Sequence, residues 1–309
     1  MNRMRAALAS ERSRNRRRVF TIALAASLAG GLALAGGASA DLWTPESGGG
    51  SANADNIDTL YKIVLAVAAV VFFGVEGVLI YCLVKFRARK GAVAAQIRGN
   101  TRLEVSWTIG AAVILVVLAV FTFALLPGIR NPPNSGPDGL DLASTVLTAN
   151  TTQRQPPNGK SLNIAVNGQQ YIWRYTYPDG DTNTLNNPFS YEEMVVPVDT
   201  TVTLDIRGQD VAHSWWIPKL GGKFDAVPGY TNHTWFKIPA KLAGKTFRGQ
   251  CAELCGRNHA NMVAAVRAVT PQQYEQYIAA KKADLKKADD DAAVARKKFE
   301  ESIGDAPSS

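Results

Sequence analysis

Gly249-Gln250-Cys251-Ala252-Glu253-Leu254-Cys255-Gly256-Arg257-Asn258-His259-Ala260-Asn261-Met262 places two thiols, an imidazole and a thioether in one short loop. Thiolate, imidazole and thioether make a soft donor set, suited to copper and unlike the oxygen-rich sets that hold magnesium or calcium. A single-copper blue site takes one Cys, two His and a weak axial Met, so this loop carries one thiolate too many. The surplus thiolate could bridge two metals. A Cys251–Cys255 disulfide is the competing reading in an oxidising compartment, but it leaves the neighbouring His and Met unexplained. A second imidazole has to come from elsewhere, and the chain has three histidines. His213 lies in Asp210-Val211-Ala212-His213-Ser214-Trp215-Trp216-Ile217-Pro218, and His233 in Pro228-Gly229-Tyr230-Thr231-Asn232-His233. Either can reach the loop.

Ligands from separate loops need a rigid scaffold, and the surrounding sequence reads as one. Leu162–Val166, Gln170–Tyr177, Glu193–Val198, Thr201–Arg207, Thr234–Ile238, Lys245–Arg248 and Val263–Val269 are short strand-like runs. Turn residues such as Pro178-Asp179-Gly180-Asp181 separate them. Short strands at this spacing, with no long helix between them, predict a β-sandwich or barrel over 161–270. A charged helix from Pro271 to about Ile303 follows, within a tail segment 271–309, and its mixed Lys, Asp and Glu predict a solvated or partner-facing surface.

Upstream, the apolar residues are clustered. Residues 1–40 have an Arg-rich start, an apolar run and Ala38-Ser39-Ala40, the order of a secretory signal peptide; a retained membrane helix is the alternative. Residues 41–60 read as a flexible mature amino terminus. Tyr61–Val84 and Val105–Leu126 are each long enough to cross a bilayer, and Pro127-Gly128 is expected to stop the second. Residues 127–160 form a Pro- and Asn-rich connector. The basic residues between the spans place that loop in the cytoplasm by the positive-inside rule. Both mature termini and the β domain then lie on the periplasmic side of a bacterial inner membrane. Glu76, inside the first span, should face another helix, as a paired structural carboxylate or part of a proton relay. The chain has a net charge of +8, and its basic residues cluster in the first 18 residues, Lys85–Arg102 and the last helix. These are membrane flanks and tails, so the charge does not point to nucleic acid.

Three separate motifs resemble subunit II of the haem–copper cytochrome c oxidases. They are Cys251-x-Glu253-x-Cys255-Gly256-x-Asn258-His259-x-x-Met262, Asp210-Val211-x-His213-Ser214-Trp215 running on to Asp225-Ala226-Val227-Pro228-Gly229, and Glu104-Val105-Ser106-Trp107-Thr108. The resemblance covers Tyr61 to Val269. It implies a mainly β, cupredoxin-like Greek-key barrel anchored by a transmembrane hairpin. It implies two copper ions in a CuA centre bridged by the Cys251 and Cys255 thiolates, with His213, His259, Met262 and the Glu253 carbonyl as further ligands. The Glu253 carboxylate would help hold a magnesium ion shared with subunit I, and the haems would lie in subunit I alone. His233 matches a non-ligand position.

The implied activity is that of an aa3-type-like oxidase subunit. It takes electrons from cytochrome c, or from a haem c of a cytochrome bc complex, and passes them to subunit I for oxygen reduction coupled to proton pumping. Glu104 matches the cytoplasmic mouth of a proton path. In Gln170-Tyr171-Ile172-Trp173, Tyr171 stands where the family has a surface Trp that receives the electron, and Trp173 matches the next aromatic. Asp179, Asp181, Glu192 and Glu193 could form an acidic docking surface or simply be solvated turn carboxylates. Tyr230 replaces a family Arg, and Val263 a Pro. The alternatives are a copper-free quinol oxidase subunit II, against which the complete ligand set argues, and a membrane-tethered copper-delivery protein, which would have no evident use for the Glu104 motif. The large catalytic portion of a nitrous oxide reductase is missing, and no Cys-x-x-Cys-His follows Val269.

Overall fold

The computed structural model describes residues 48–87, 91, 93, 95–142, 154–178 and 186–304. The expected signal peptide lies outside the described residues. Two long helices open the described chain, α1 (Ala52–Lys85) and α2 (Thr101–Arg130), packed as a hairpin. Each contains an apolar stretch long enough to cross a bilayer, none of it buried within the chain, which suits a lipid or partner environment.

Both helices outrun the sequence expectation. α1 begins at Ala52 rather than Tyr61, because its first turns are polar and a hydropathy reading does not register them. Those turns are not a loose terminus. Ser51 and Asn53 are buried, Asn53 Nδ2 donates to the Trp235 carbonyl at 2.7 Å, and Lys237 N donates to Ser51 Oγ at 3.0 Å. α2 runs through Pro127 to Arg130. Proline removes one amide donor, but the last turn still closes, with Asn131 N donating to the Pro127 carbonyl at 2.9 Å. Trp235 Nε1 donates to the Ile129 carbonyl at 3.0 Å, so the start of α1 and the end of α2 dock on the same strand.

Among the described residues ten strands follow: β1 (Leu162–Gln169), β2 (Ile172–Thr176), β3 (Phe189–Tyr191), β4 (Glu193–Pro197), β5 (Thr201–Gly208), β6 (His213–Trp216), β7 (Phe224–Ala226), β8 (Asn232–Lys237), β9 (Thr246–Cys251) and β10 (Val263–Val269). They form two five-stranded sheets, ordered β3-β2-β1-β5-β8 and β4-β10-β9-β6-β7. β1 runs parallel to β5 and β4 parallel to β10, while the other pairs are antiparallel. This is a cupredoxin-like barrel. The strict inward-outward alternation of β1 places Leu162, Ile164 and Val166 in the core with Leu204 and Ile206 of β5.

The expected Gln170–Tyr177 strand starts at Ile172, because Gln170-Tyr171 is the turn from β1. β3, β6 and β7, only three or four residues long, are absent from the sequence reading; runs that short carry too little alternation to register. In the connector, Gly136 N donates to the Asp199 carbonyl at 2.8 Å and Leu140 N to Thr200 Oγ1 at 2.8 Å, so this segment lies along the barrel. The final helix, α3, spans Pro271–Gly304.

Leu204→Ala leaves a cavity at a fully buried position and should lower stability by about 2–5 kcal/mol. Val211→Ala, at a position 39% exposed, should change it by less than about 0.5 kcal/mol. Urea unfolding followed by tryptophan fluorescence measures both.

Candidate metal centre

Three strands of one sheet bring the donors together. β9 turns Phe247 and Cys251 to the same buried face. It pairs with β6 through Trp215↔Cys251 and with β10 through Val263↔Gln250. His213 begins β6, and Met262 directly precedes β10. The neck of the loop closes with Cys251 N donating to the Met262 carbonyl at 2.8 Å and Ala252 N to the Ser214 carbonyl at 2.9 Å. Within the loop, Gly256 sits at φ 129°, and a Cβ there would lie 2.7 Å from the Tyr171 hydroxyl and 2.9 Å from Gln170 Nε2. Both conformation and space therefore require glycine. A short 3₁₀ turn, His259–Asn261, then swings the imidazole back.

The donor atoms converge. His213, Cys251 and Cys255 are all buried, and their ligand atoms lie within 4.8 Å of one another. Cys251 Sγ is 3.9 Å from His213 Nδ1, 4.0 Å from Cys255 Sγ and 3.3 Å from the Glu253 carbonyl oxygen. Cys255 Sγ is 3.6 Å from His259 Nδ1 and 3.8 Å from Met262 Sδ. The cysteines are free, and their sulfurs stand about 2 Å beyond disulfide bonding distance. Four soft side-chain donors and a thioether face one another in a buried space, which fits copper.

Burial, with the neighbouring Cys251 adding to it, pushes the Cys255 thiol up to about 11. Metal binding must therefore displace protons, since the thiolate is the ligand. Glu253 turns its carbonyl inward while the residue is otherwise exposed, beside Leu254 at 77% exposure.

His213 is oriented from behind. Its Nε2 lies 2.8 Å from Asp210 Oδ1, which leaves Nδ1 facing the sulfurs. Asp210 also accepts from Gln170 N at 2.7 Å and Val211 N at 2.7 Å. Burial raises its carboxyl, but these hydrogen bonds and His213 outweigh that and leave it below the usual carboxylate range. Gln170 has a second role, as its Nε2 donates to the Cys255 carbonyl at 2.7 Å. One residue thus braces both the His213 support and the cysteine loop.

His233 is not in the cluster; its Nδ1 lies 2.7 Å from Asp205 Oδ1 in the opposite sheet. Trp173 is fully buried, its ring 5.9 Å from that of His213 and 66° to it, so it cannot itself be a docking surface. Tyr171 is half-buried beside the loop. Glu193 is ion-paired with Arg267 at 2.8 Å, which removes it from an unpaired acidic surface. Glu192 is exposed, and Asp179 and Asp181 lie outside the described residues.

Residues 162–269 match the family described as cytochrome C oxidase subunit II, periplasmic domain, and residues 46–125 match its transmembrane domain. Cytochrome c oxidase subunit 2 of Synechocystis sp. is 31% identical over 254 residues, covering 74% of this chain and 74% of the relative. The chain belongs to the cytochrome c oxidase subunit II family. The Cereibacter sphaeroides subunit 2 is 30% identical, covering 73% of this chain and 76% of the relative. The Alkalihalophilus pseudofirmus subunit 2 is 31% identical, and this chain spans 62% of its length. A crystal structure of the periplasmic domain of subunit II of cytochrome oxidase from Bradyrhizobium japonicum is 33% identical, covering 40% of this chain and 95% of that one, with a TM-score of 0.36. The family implies a CuA centre, and His213, Cys251 and Cys255 are positioned for one.

Sequence reasoning assigned no role to Asp210 or Gln170. For Asp210 a signal existed, a carboxylate three residues before a ligand histidine; for Gln170 there was none, because its contacts depend on the turn after β1.

Asp210→Asn keeps the shape but removes the charge that holds His213. Copper affinity, measured by competition with a chelator, should fall about 10–100-fold while the fold is retained.

Proposed function

We propose that this chain is the electron-accepting subunit of a proton-translocating terminal oxidase, with a binuclear CuA centre held by His213, Cys251, Cys255, His259, Met262 and the Glu253 carbonyl. The convergence of the other four groups on two cysteine sulfurs 4.0 Å apart carries this reading. A copper pair held there would supply a one-electron acceptor whose charge is shared between two metals.

The chain's own residues do the rest. Strands β6, β9 and β10 fix the ligands, so that little has to move when the charge changes. Asp210 keeps the His213 tautomer, and Gln170 keeps the loop against it. Trp173, edge-on to His213, supplies a buried aromatic path inward from Tyr171, where a cytochrome c or a cytochrome bc-complex haem c would deliver its electron. Onward transfer goes to the haem and copper of subunit I, whose interface Glu253 and Leu254 would line, with the Glu253 carboxylate holding the shared magnesium. The hairpin packs against subunit I in the bacterial inner membrane, with the barrel and both mature termini in the periplasm.

Glu104 lies in the first turn of α2. Its Oε1 accepts from Asn100 N at 3.3 Å, and Asn100 Oδ1 accepts from Leu103 N at 3.2 Å. The carboxylate therefore helps cap the helix, beside its proposed role at the cytoplasmic mouth of a proton path. Glutamine can accept the same hydrogen bond but cannot release a proton, so Glu104→Gln separates the two. In the assembled oxidase it should slow turnover with an unchanged copper spectrum; full turnover would rule out the proton role.

Electron paramagnetic resonance of the copper-loaded chain tests the centre itself. Hyperfine structure from two equivalent coppers is expected, and Cys251→Ser or Cys255→Ser should abolish it. A single-copper signal from the unaltered chain would overturn the assignment.

A further inference from the structure

Helix α3 changes character along its length. Tyr274 is buried and Tyr277 is packed on the barrel, both with rings edge-on to Tyr177 at 6.3 and 5.8 Å. Lys281 and Leu285 are half-buried, and from Lys286 to Ser302 every residue is exposed. At 1.5 Å per residue, about 25 Å of helix stands clear of the domain. A helical segment this short is marginal by itself in water. The exposed ion pairs Lys286–Asp290 at 3.3 Å and Lys297–Glu301 at 4.0 Å add little to it.

The free part is patterned. Leu285, Ala288, Ala292, Ala295 and Phe299 recur at alternating spacings of three and four, which aligns them in one seam; Phe299 is 64% exposed. Laid antiparallel against a copy of itself, the seam sets Ala288 opposite Phe299 and Ala292 opposite Ala295. Large meets small, and the two backbones can approach closely. The flanking positions then face each other with opposite charge, Asp289 to Arg296 and Asp291 to Lys298. A two-fold axis repeats each of these pairs. In parallel alignment Phe299 would meet Phe299, and of the flanking pairs Asp291 would face Arg296 but Asp284 would face Asp289, so size and charge are both matched less well than in the antiparallel register.

We propose that α3 is a self-association surface, with Ala288–Phe299 pairing antiparallel with the same segment of a second copy of this chain. The surface is small, but chains anchored in one membrane are already held at high effective concentration. The proposal does not depend on the copper assignment, and the residues involved lie outside the metal loop.

The test is Förster transfer between donor- and acceptor-labelled full chains in lipid vesicles over a series of protein-to-lipid ratios, with far-UV circular dichroism to confirm that the helix persists. The unaltered chain should dimerise. Asp289→Lys with Asp291→Lys turns all four flanking pairs repulsive and should weaken the dimer about tenfold or more; Arg296→Glu with Lys298→Glu should do the same. Mixing the two variants makes every pair attractive again and should restore a heterodimer of the original strength. An unaltered chain that stays monomeric, a dimer indifferent to either variant, or a mixture that does not recover would each overturn the proposal.

Discussion

The metal loop depends on two backbone hydrogen bonds at its neck, Cys251 N to the Met262 carbonyl and Ala252 N to the Ser214 carbonyl. They fix β9 between β6 and β10 just where the ladders end. The pairing Trp215↔Cys251 sets how far His213 stands from the first sulfur. A slip of one residue in that pairing would turn Cys251 to the other face of the sheet, and no rearrangement of the loop could bring it back to His213. Ligand geometry is thus a property of strand register.

The same sheet logic explains why the three sulfur donors are dry. Met262 is fully buried, and Cys251 and Cys255 are only 2% and 3% exposed. They lie in a pocket backed by Trp173 and Trp215. Trp215 Nε1 donates to the Tyr175 hydroxyl at 3.2 Å, so the large indole is buried without an orphaned donor. Packing of this kind limits how far the ligands can relax on a change of charge, the property an electron-transfer site needs.

Much of this was legible in the sequence, and the gaps have physical reasons. The spans announced themselves by hydropathy, the barrel by alternation, and the cluster by donor chemistry at loop spacing. The helix ends were not legible, because Ser51 and Asn53 are held by β8, a contact between residues more than 180 positions apart. The burial of Trp173 was hidden because an aromatic in a strand can face either way, and only the turn at Gln170-Tyr171 decides which. The bracing by Gln170 arises in three dimensions alone, since its partners Asp210 and Cys255 lie 40 and 85 residues away.

The docking of the hairpin on β8 links the two halves of the chain. Trp235 is used twice, its carbonyl accepting from Asn53 and its indole donating to the Ile129 carbonyl. One residue of β8 thereby clasps the top of both helices. β8 is paired to β5 in the sheet opposite the metal loop, and the start of α1 also lies against the loop that joins β6 to β7, with Asn53 beside Gly221, so movement of the spans reaches the donors through the barrel core and that loop rather than through the pairing of the ligand strands. A membrane anchor that pulled directly on β6, β9 or β10 would shift ligand distances with every movement of the spans. Clasping β8 and a loop instead lets the anchor position the barrel while the donor register stays set by the pairing of β6, β9 and β10.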